Sequence, residues 1–170
     1  MRALLILLIA IGSPFYTLAQ EVPAKNKDAF RSTNYPLPRF VSLGADKVYV
    51  RTGPGSHYPV KWTFKKKALP VEIILEFEHW RKIRDIDGDT GWIHLSLLSG
   101  KRTAIITSES NTPIYKSPNK NSAKKALIQP KSLAYVSECE TAWCDINVNG
   151  YKGWIEKKHL WGVYENEKFD

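Results

Sequence analysis

The chain has 170 residues, of which 25 are Lys or Arg and 17 are Asp or Glu, so its formal net charge is +8 at pH 7. This length suits one ordinary domain or two small ones. The positive charge is spread along the chain, which excludes a basic tail. It serves either solubility or attraction to the anionic polymers of a cell envelope.

Residues 1–19 have the pattern of a secretory signal peptide. Met1-Arg2 provides a positive start, residues 3–11 are an uninterrupted apolar run, and Thr17-Leu18-Ala19 places small residues where a signal peptidase cleaves. A membrane anchor needs about 20 apolar residues, and this run is much shorter. We therefore expect cleavage after Ala19, a periplasmic or secreted protein and no membrane insertion of the mature chain. Nucleic acid is not an expected partner, because an exported chain rarely meets it.

Residues 20–39 have the composition of a flexible linker. Lys, Asn, Asp, Ser and Thr dominate, three prolines occur, and no apolar period is present. From Phe40 onward the chain changes to short apolar runs that are separated by turn residues.

These runs occur twice. The matching positions are Pro54 with Pro118, Trp80 with Trp143, Gly91-Trp92 with Gly153-Trp154, and Leu98 with Leu160. The spacing changes by one residue between anchors, as hairpin turns of different length allow. The pattern predicts a tandem duplication of a unit of about sixty residues.

Each copy is predicted to be all-β. Val71, Ile73, Leu75 and Phe77 alternate with Glu72, Glu76 and Glu78, the period of a half-buried strand whose glutamates lie on the outer face, although Ile74 breaks the alternation and makes that face partly apolar. Asp87-Gly88 and Asn149-Gly150 are pairs that tight hairpins with positive φ favour. Residues 94–98 and 156–160 are too short for stable helices and predict 3₁₀ turns. Five or so short strands in such a unit predict a small antiparallel barrel.

Several segments together resemble the bacterial SH3-like (SH3b) domain family, and in particular a tandem two-domain branch of exported α-proteobacterial proteins. The segments are RxGPGxxYPV, WRKIRD and DGDTGWIHxSLLSGKRT in the first copy, and WC, GYKGW and LWGVY in the second. The resemblance covers roughly Arg39 to Tyr164. It implies SH3-like barrels over residues 40–100 and 101–165, with a tail over 166–170. Such barrels act as non-catalytic binding modules, often at the cell wall.

The turn Gly53-Pro54-Gly55 is predicted to be a bend in the long loop of the first barrel. A phosphate-binding loop would require a helix directly after it, and Ser56-His57-Tyr58-Pro59 cannot begin one. We expect Pro54 to restrict φ and Gly55 to supply a positive φ. The second copy keeps only the proline, Pro118, which a bend tolerates.

Catalytic and metal-binding patterns are not found in the sequence. The four histidines show no metal-ligand spacing. Asp85, Asp87 and Asp89 share one hairpin, but the glutamate of a calcium loop is missing. Two barrels leave no residues for a catalytic domain, so we expect a non-enzyme without metal or cofactor.

Aromatic and basic residues are the better indication of a binding surface. A shallow aromatic groove beside the long loop of each barrel would bind a peptide or glycan stem, as SH3-like barrels do. The alternative is that Trp92 and Trp154 simply pack on the barrel, and that the lysines of the second long loop form a solvated face. The candidate ligand-binding residues are Arg51, Tyr58, Trp80, Trp92, Tyr115, Lys116, Lys120, Trp143 and Trp154.

The two cysteines, Cys139 and Cys144, are predicted to form a disulfide across a hairpin. Export favours oxidation, and four intervening residues are a common hairpin loop length. The alignment of the tryptophans pairs Cys139 with Glu76 and Cys144 with Arg81. Opposite charges therefore occupy the positions of the thiols in the first copy, as expected for residues that face each other.

The sequence thus predicts an exported, non-catalytic module of two barrels that recognises peptidoglycan or another envelope component. Two alternatives remain: an adaptor that binds an extended segment of a periplasmic protein, and an accessory to, or unrecognised form of, a cell-wall hydrolase.

Overall fold

Two all-β domains follow each other in the chain, each built on one seven-stranded antiparallel sheet. The structure is a computed structural model that describes residues 32–170. The predicted signal peptide and most of the predicted linker lie outside these residues. The all-β tandem architecture predicted from the sequence is confirmed. In the described part of the chain, no helix is long and apolar enough to cross a membrane.

The first sheet runs from residue 39 to 99 and the second from residue 103 to 161. The strands of the first are β1 (Arg39–Leu43), β2 (Val48–Arg51), β3 (Val60–Phe64), β4 (Pro70–Phe77), β5 (Trp80–Arg84), β6 (Thr90–His94) and β7 (Leu98–Ser99). Those of the second are β8 (Thr103–Ile106), β9 (Thr112–Tyr115), β10 (Lys124–Ile128), β11 (Leu133–Cys139), β12 (Trp143–Val148), β13 (Tyr151–Glu156) and β14 (Leu160–Trp161).

Both sheets have the same strand order. It is β3-β2-β6-β5-β4-β1-β7 in the first domain and β10-β9-β13-β12-β11-β8-β14 in the second. In the described residues, the first and last strands of each sheet order are not paired with each other. Neither sheet therefore closes into a complete barrel. Leu95–Leu97 and Lys157–His159 form the predicted 3₁₀ turns. The tandem repeat is therefore confirmed in three dimensions.

Alternation along the strands separates a core face from an outer face. In β12, Cys144, Ile146 and Val148 are buried, whereas Trp143 and the other intervening residues are only partly buried. Successive side chains of a strand point to opposite faces, so the buried set faces the core. Burying an isoleucine such as Ile146 stabilises the fold by roughly 1.5–3 kcal/mol.

A β-bulge in β4 changes the face to which its second half points. The register with β5 shifts between Ile73 and Leu75, and Glu76 is then completely buried while Leu75 and Phe77 are half-buried. The simple alternation predicted for β4, with Glu76 outside, is therefore wrong. A bulge inserts one extra residue and so reverses the orientation of those that follow. The second domain has a register shift at the corresponding place, between Val136 and Glu138.

The positions turned inward by the two bulges have different chemistry. In the second domain, Cys139 and Cys144 are directly opposite each other and form the predicted disulfide. In the first, Glu76 and Arg81 are opposite, and their side chains form a buried ion pair with an Nε–Oε1 distance of 3.3 Å. Both the disulfide and the predicted correspondence with the charge pair are confirmed.

The buried Glu76 carboxylate also binds the segment that precedes the first domain. It accepts hydrogen bonds from the backbone N–H groups of Ser32 and Thr33 at 3.0 and 2.7 Å, and from Arg39 Nη2 at 2.6 Å. Burial alone would raise the pKa of Glu76, but the hydrogen bonds from Arg39 and Thr33 and the nearby guanidinium of Arg81 hold this pKa below its ordinary value. The described end of the predicted linker, residues 32–39, thus packs on the first domain and differs from a flexible segment.

The two domains contact each other through aromatic residues. Phe40 packs against Trp161 and Tyr164, with ring centroids 5.1 and 4.8 Å apart. The Tyr164 hydroxyl donates a hydrogen bond of 2.8 Å to Glu72 Oε1. Burial and the Glu72 carboxylate raise the pKa of Tyr164 above its usual range, so the phenol stays neutral and can donate.

The C-terminal residues are part of the second domain. Phe169 forms an isolated antiparallel bridge with Cys139, and Arg102 forms an ion pair with Glu167 at 2.5 Å. The predicted tail, residues 166–170, is therefore in contact with the domain that precedes it.

Replacing Glu76 by Gln is expected to destabilise the first domain by about 3–5 kcal/mol, because the buried Arg81 then loses its carboxylate partner. Urea unfolding measures the change. Glu78→Gln is the matched control, since Glu78 is exposed and should change stability by less than about 0.5 kcal/mol. Equal stability of the two variants would contradict a structural role for Glu76.

The stability of the first domain should also depend on pH through Glu76. Its folded pKa lies below the ordinary value of 4.5, so the unfolded state binds the proton more tightly. The stabilisation is therefore complete above pH 4.5 and is lost as the pH falls through the folded pKa. Unfolding free energies measured across this range should fall less steeply in Glu76→Gln than in the wild type. Parallel curves would exclude this contribution.

Candidate ligand-binding groove

Three neighbouring strands present the candidate site on the outer face of the first sheet. In β2, β6 and β5 the core side chains are Val50, Ile93 and Ile83, so the residues between them point outward. Here a cavity of about 300 Å³ is present, which we call groove 1. It is lined by Tyr49, Arg51, Ser56, Trp80, His94, Ser96 and Leu97.

Aromatic rings form the sides of groove 1. Trp80 and His94 are directly opposite in the β5–β6 ladder, and their rings meet edge to face with centroids 5.4 Å apart. His94 Nδ1 lies 2.8 Å from Ser96 Oγ, which fixes the orientation of the imidazole. Tyr49 is 41% exposed and carries the Lys47 ammonium over its ring at 4.9 Å.

Arg51 provides the positive charge of groove 1. Its Nη1 donates a hydrogen bond of 2.7 Å to the carbonyl of Tyr58, which ties the guanidinium to the long loop. A guanidinium has five N–H donors. Within residues 32–170 only this one donor of Arg51 has a partner, so the others can bind a carboxylate as a planar fork.

The long loop differs from the prediction in the role of its glycines. The glycines with positive φ in the described chain are Gly88, Gly150 and Gly162, so Gly55 does not supply the expected positive φ. Gly53 and Gly55 are required for a different reason. A Cβ on Gly53 would lie 2.5 Å from the Tyr58 ring, and one on Gly55 would lie 2.6 Å from the His57 ring. The loop is a bend, as predicted, but its glycines make room for aromatic rings.

The hairpin turns agree better with the sequence. Asn149 and Gly150 both have positive φ, as a two-residue hairpin turn favours. In the corresponding turn of the first domain Gly88 has positive φ and Asp87 does not, and the Asp85 carboxylate accepts hydrogen bonds from the backbone N–H groups of Asp87 and Asp89. These aspartates therefore stabilise a turn. Among the residues described, no group of three or more His, Cys, Asp or Glu side chains could hold a metal ion.

The predicted site residues of the first domain have different environments. Arg51 and Trp80 line groove 1. Tyr58 packs its ring on the loop glycines and contributes its carbonyl to Arg51. Trp92 is only 8% exposed and pairs with Arg51 in the ladder; it does not line groove 1 and is packed against the sheet, in agreement with the packing alternative.

Several residues that line groove 1 were not among the binding residues predicted from the sequence. Tyr49, Ser56, His94, Ser96 and Leu97 come from three separate segments of the chain. One signal was available for His94: it follows Trp92 by two positions in the same strand, and alternate positions share a face.

The predicted residues of the second domain occupy equivalent positions. Tyr115 pairs with Trp154 as Arg51 does with Trp92, and Trp143 pairs with Glu156 as Trp80 does with His94. We call the region around Tyr115, Lys120, Trp143 and Glu156 groove 2. Lys116 lies next to it and is exposed.

Groove 2 is held by contacts among its own side chains. The rings of Tyr115 and Trp143 meet edge to face with centroids 5.6 Å apart. Lys120 and Lys158 each lie 3.2 Å from a carboxylate oxygen of Glu156. Partial burial would raise the pKa of Glu156, but the two ammonium groups hold this pKa below its ordinary value.

The family of the chain follows from a comparison with known protein families. The profile of the family described as Bacterial SH3 domain matches residues 44–100 and again residues 108–162. The chain belongs to the bacterial SH3 domain family. The two matches correspond to the two sheets, so the protein is a tandem of bacterial SH3 domains, and the resemblance seen in the sequence is confirmed.

Comparisons with individual proteins give weaker similarities. No curated protein matches the chain. Among solved structures, NlpC1 and NlpC2 from Trichomonas vaginalis are each 17% identical, with a TM-score of 0.34, and cover 81% and 75% of this chain. An NlpC/P60 family protein from Bacillus cereus is 9% identical, with a TM-score of 0.33, and covers 72%. The chain spans about half the length of these proteins, 50%, 49% and 55% respectively.

Replacing Gly53 by Ala is expected to destabilise the first bacterial SH3 domain by about 1–3 kcal/mol, because the new methyl group overlaps the Tyr58 ring. Gly100→Ala is the matched control, since a Cβ there has no atom within 4 Å. Thermal unfolding of both variants measures the difference. Equal melting temperatures would show that the Tyr58 ring does not pack on Gly53.

Proposed function

We propose that the protein is an exported, non-catalytic binding module that holds a peptide stem of peptidoglycan, or another anionic envelope component, in groove 1. The observation that carries this proposal is the combination of Trp80, His94 and Arg51 around one open cavity. Aromatic sides offer apolar contact area to an extended chain, and a guanidinium recognises carboxylates. Membership of the bacterial SH3 domain family supports the binding role.

The charge of the protein supports an anionic ligand. The formal net charge is +8, so negatively charged wall polymers are attracted over the whole surface. Exposed lysines of the second long loop and of the strand that follows it add to this attraction; they include Lys116 and Lys120 in the loop and Lys124 and Lys125 at the start of β10. Their contribution is long-range and should be screened by salt.

The location of the protein is part of the same proposal. The apolar run over residues 3–11 and the small residues before Gln20 support export. An exported chain meets peptidoglycan directly. The disulfide between Cys139 and Cys144 agrees with an oxidising compartment.

Co-sedimentation with purified cell-wall sacculi tests the proposal. The wild type should pellet with sacculi at low salt, and Trp80→Ala should weaken binding by about tenfold, as expected for a central aromatic contact. Tyr151→Ala is the matched control, because Tyr151 is 62% exposed and lies on a hairpin of the second domain. Its binding should equal that of the wild type.

Three results would contradict the proposal in different ways. Absence of the wild type from the pellet at low salt would favour a protein partner and therefore the adaptor alternative. Equal binding by Trp80→Ala would exclude groove 1. Release of soluble wall fragments would show catalysis and would favour the hydrolase alternative.

A further inference from the structure

We infer that the tandem binds through its first domain alone, because the second domain fills its own groove with its own side chains, and that the ligand of the open groove carries a carboxylate. The inference rests on the proposed function of groove 1. It follows from the differences between two domains of this chain that have the same strand order.

The strand registers show which residue of the second domain corresponds to each residue of groove 1. Arg51 and Tyr115 both end the second strand of their domain and pair with the tryptophan of the Gly-Trp motif. Trp80 and Trp143 both begin the fifth strand. Since the two sheets have the same order, differences between the grooves come from side chains rather than from topology.

The first difference is at the position of Arg51. Its counterpart Tyr115 is only 9% exposed, and its ring covers one side of Trp143. In groove 1 the residue at this position is a guanidinium that lines an open cavity with Trp80. Each tryptophan thus contacts one protein ring edge to face, but the partner of Trp143 is the residue at the Arg51 position, whereas the partner of Trp80 is His94 and the Arg51 position is left to a guanidinium.

The second difference is at the mouth of the groove. Ser56 of the long loop and His94 both line the cavity of groove 1. Counting from the matched prolines, Lys120 takes the place of Ser56, and by register Glu156 takes the place of His94. The Lys120 ammonium lies 3.2 Å from the Glu156 carboxylate, so an ion pair links these two positions in groove 2. Lys158, also at 3.2 Å, holds the same carboxylate.

The two grooves also differ in whether their cationic groups are paired with a carboxylate. Groove 1 carries the cation Arg51 and no carboxylate among its lining residues. Groove 2 has a neutral phenol at that position, and its lysines Lys120 and Lys158 are both paired with the carboxylate of Glu156, opposite Trp143. A ligand carboxylate would gain a fork of donors in groove 1 and would have to compete with Glu156 for Lys120 in groove 2. Of the two grooves, the first therefore combines an open cavity with a cation that no carboxylate of the described residues pairs.

Nuclear magnetic resonance of the indole N–H groups of Trp80 and Trp143, two of the six tryptophans, tests this inference on the unsubstituted chain. The probe is the mixture of soluble muropeptides that a muramidase releases from sacculi, added to the ¹⁵N-labelled exported chain. We expect the Trp80 resonance to shift and saturate at one ligand per chain, and the Trp143 resonance to stay in place. A shift at Trp143, alone or together with Trp80, would overturn the inference but keep the proposed function. A shift at neither would overturn both.

A second test gives each groove the polar side chains of the other by substitution. The triple substitution Tyr115→Arg, Lys120→Ser and Glu156→His gives groove 2 the polar residues of groove 1. If these side chains close groove 2, the folded variant should bind two ligands per chain, and the Trp143 indole should now respond. The reverse change in groove 1, Arg51→Tyr with Ser56→Lys and His94→Glu, should abolish binding. A triple variant with native stability that still binds one ligand would refute closure by these residues.

Discussion

A β-bulge in the fourth strand of each domain determines which side chain faces the core beside the following hairpin. An extra residue at Ile74 turns Glu76 inward, and the corresponding irregularity in β11 turns Cys139 inward. A buried carboxylate needs ionic and hydrogen-bonding partners, whereas a buried thiol needs none and can be oxidised. The first domain supplies Arg81 and Arg39, and the second supplies Cys144.

The ion pair of the first domain and the disulfide of the second both act on the fifth strand of their domain, which carries a tryptophan of the candidate groove. Arg81 and Cys144 each follow directly after the tryptophan that begins the fifth strand of their domain, Trp80 or Trp143. The ion pair and the disulfide tie this strand start to the strand before it, so the tryptophan is held at a constant place on the outer face. In the first domain the Glu76 carboxylate also accepts hydrogen bonds from residues 32 and 33, which attaches the segment before the domain to its sheet.

The two domains keep the same strand order but differ in the side chains of their outer faces. The core positions keep their registers, while the outer positions of β2, β6 and β5 differ from those of β9, β13 and β12. Core residues are constrained by packing, so change is easier where side chains face solvent. The contacts between Phe40, Trp161 and Tyr164 join the copies, so groove 1 is presented beside a second domain whose surface adds positive charge.

The sequence by itself determined the duplication, the all-β architecture, the 3₁₀ turns and the disulfide. The duplication is visible as repeated motifs, and the other three depend on local periodicity and on short spacings. Tertiary structure alone decided the inward turn of Glu76, since the apolar run from Ile73 to Leu75 fits either register until β5 pairs with it. It also decided the make-up of groove 1. Strand β2 lies beside β6, far along the chain, so His94 and Arg51 become neighbours only when the sheet forms. The need for Gly53 was likewise invisible in the sequence, because it comes from the Tyr58 ring that folds back onto the loop.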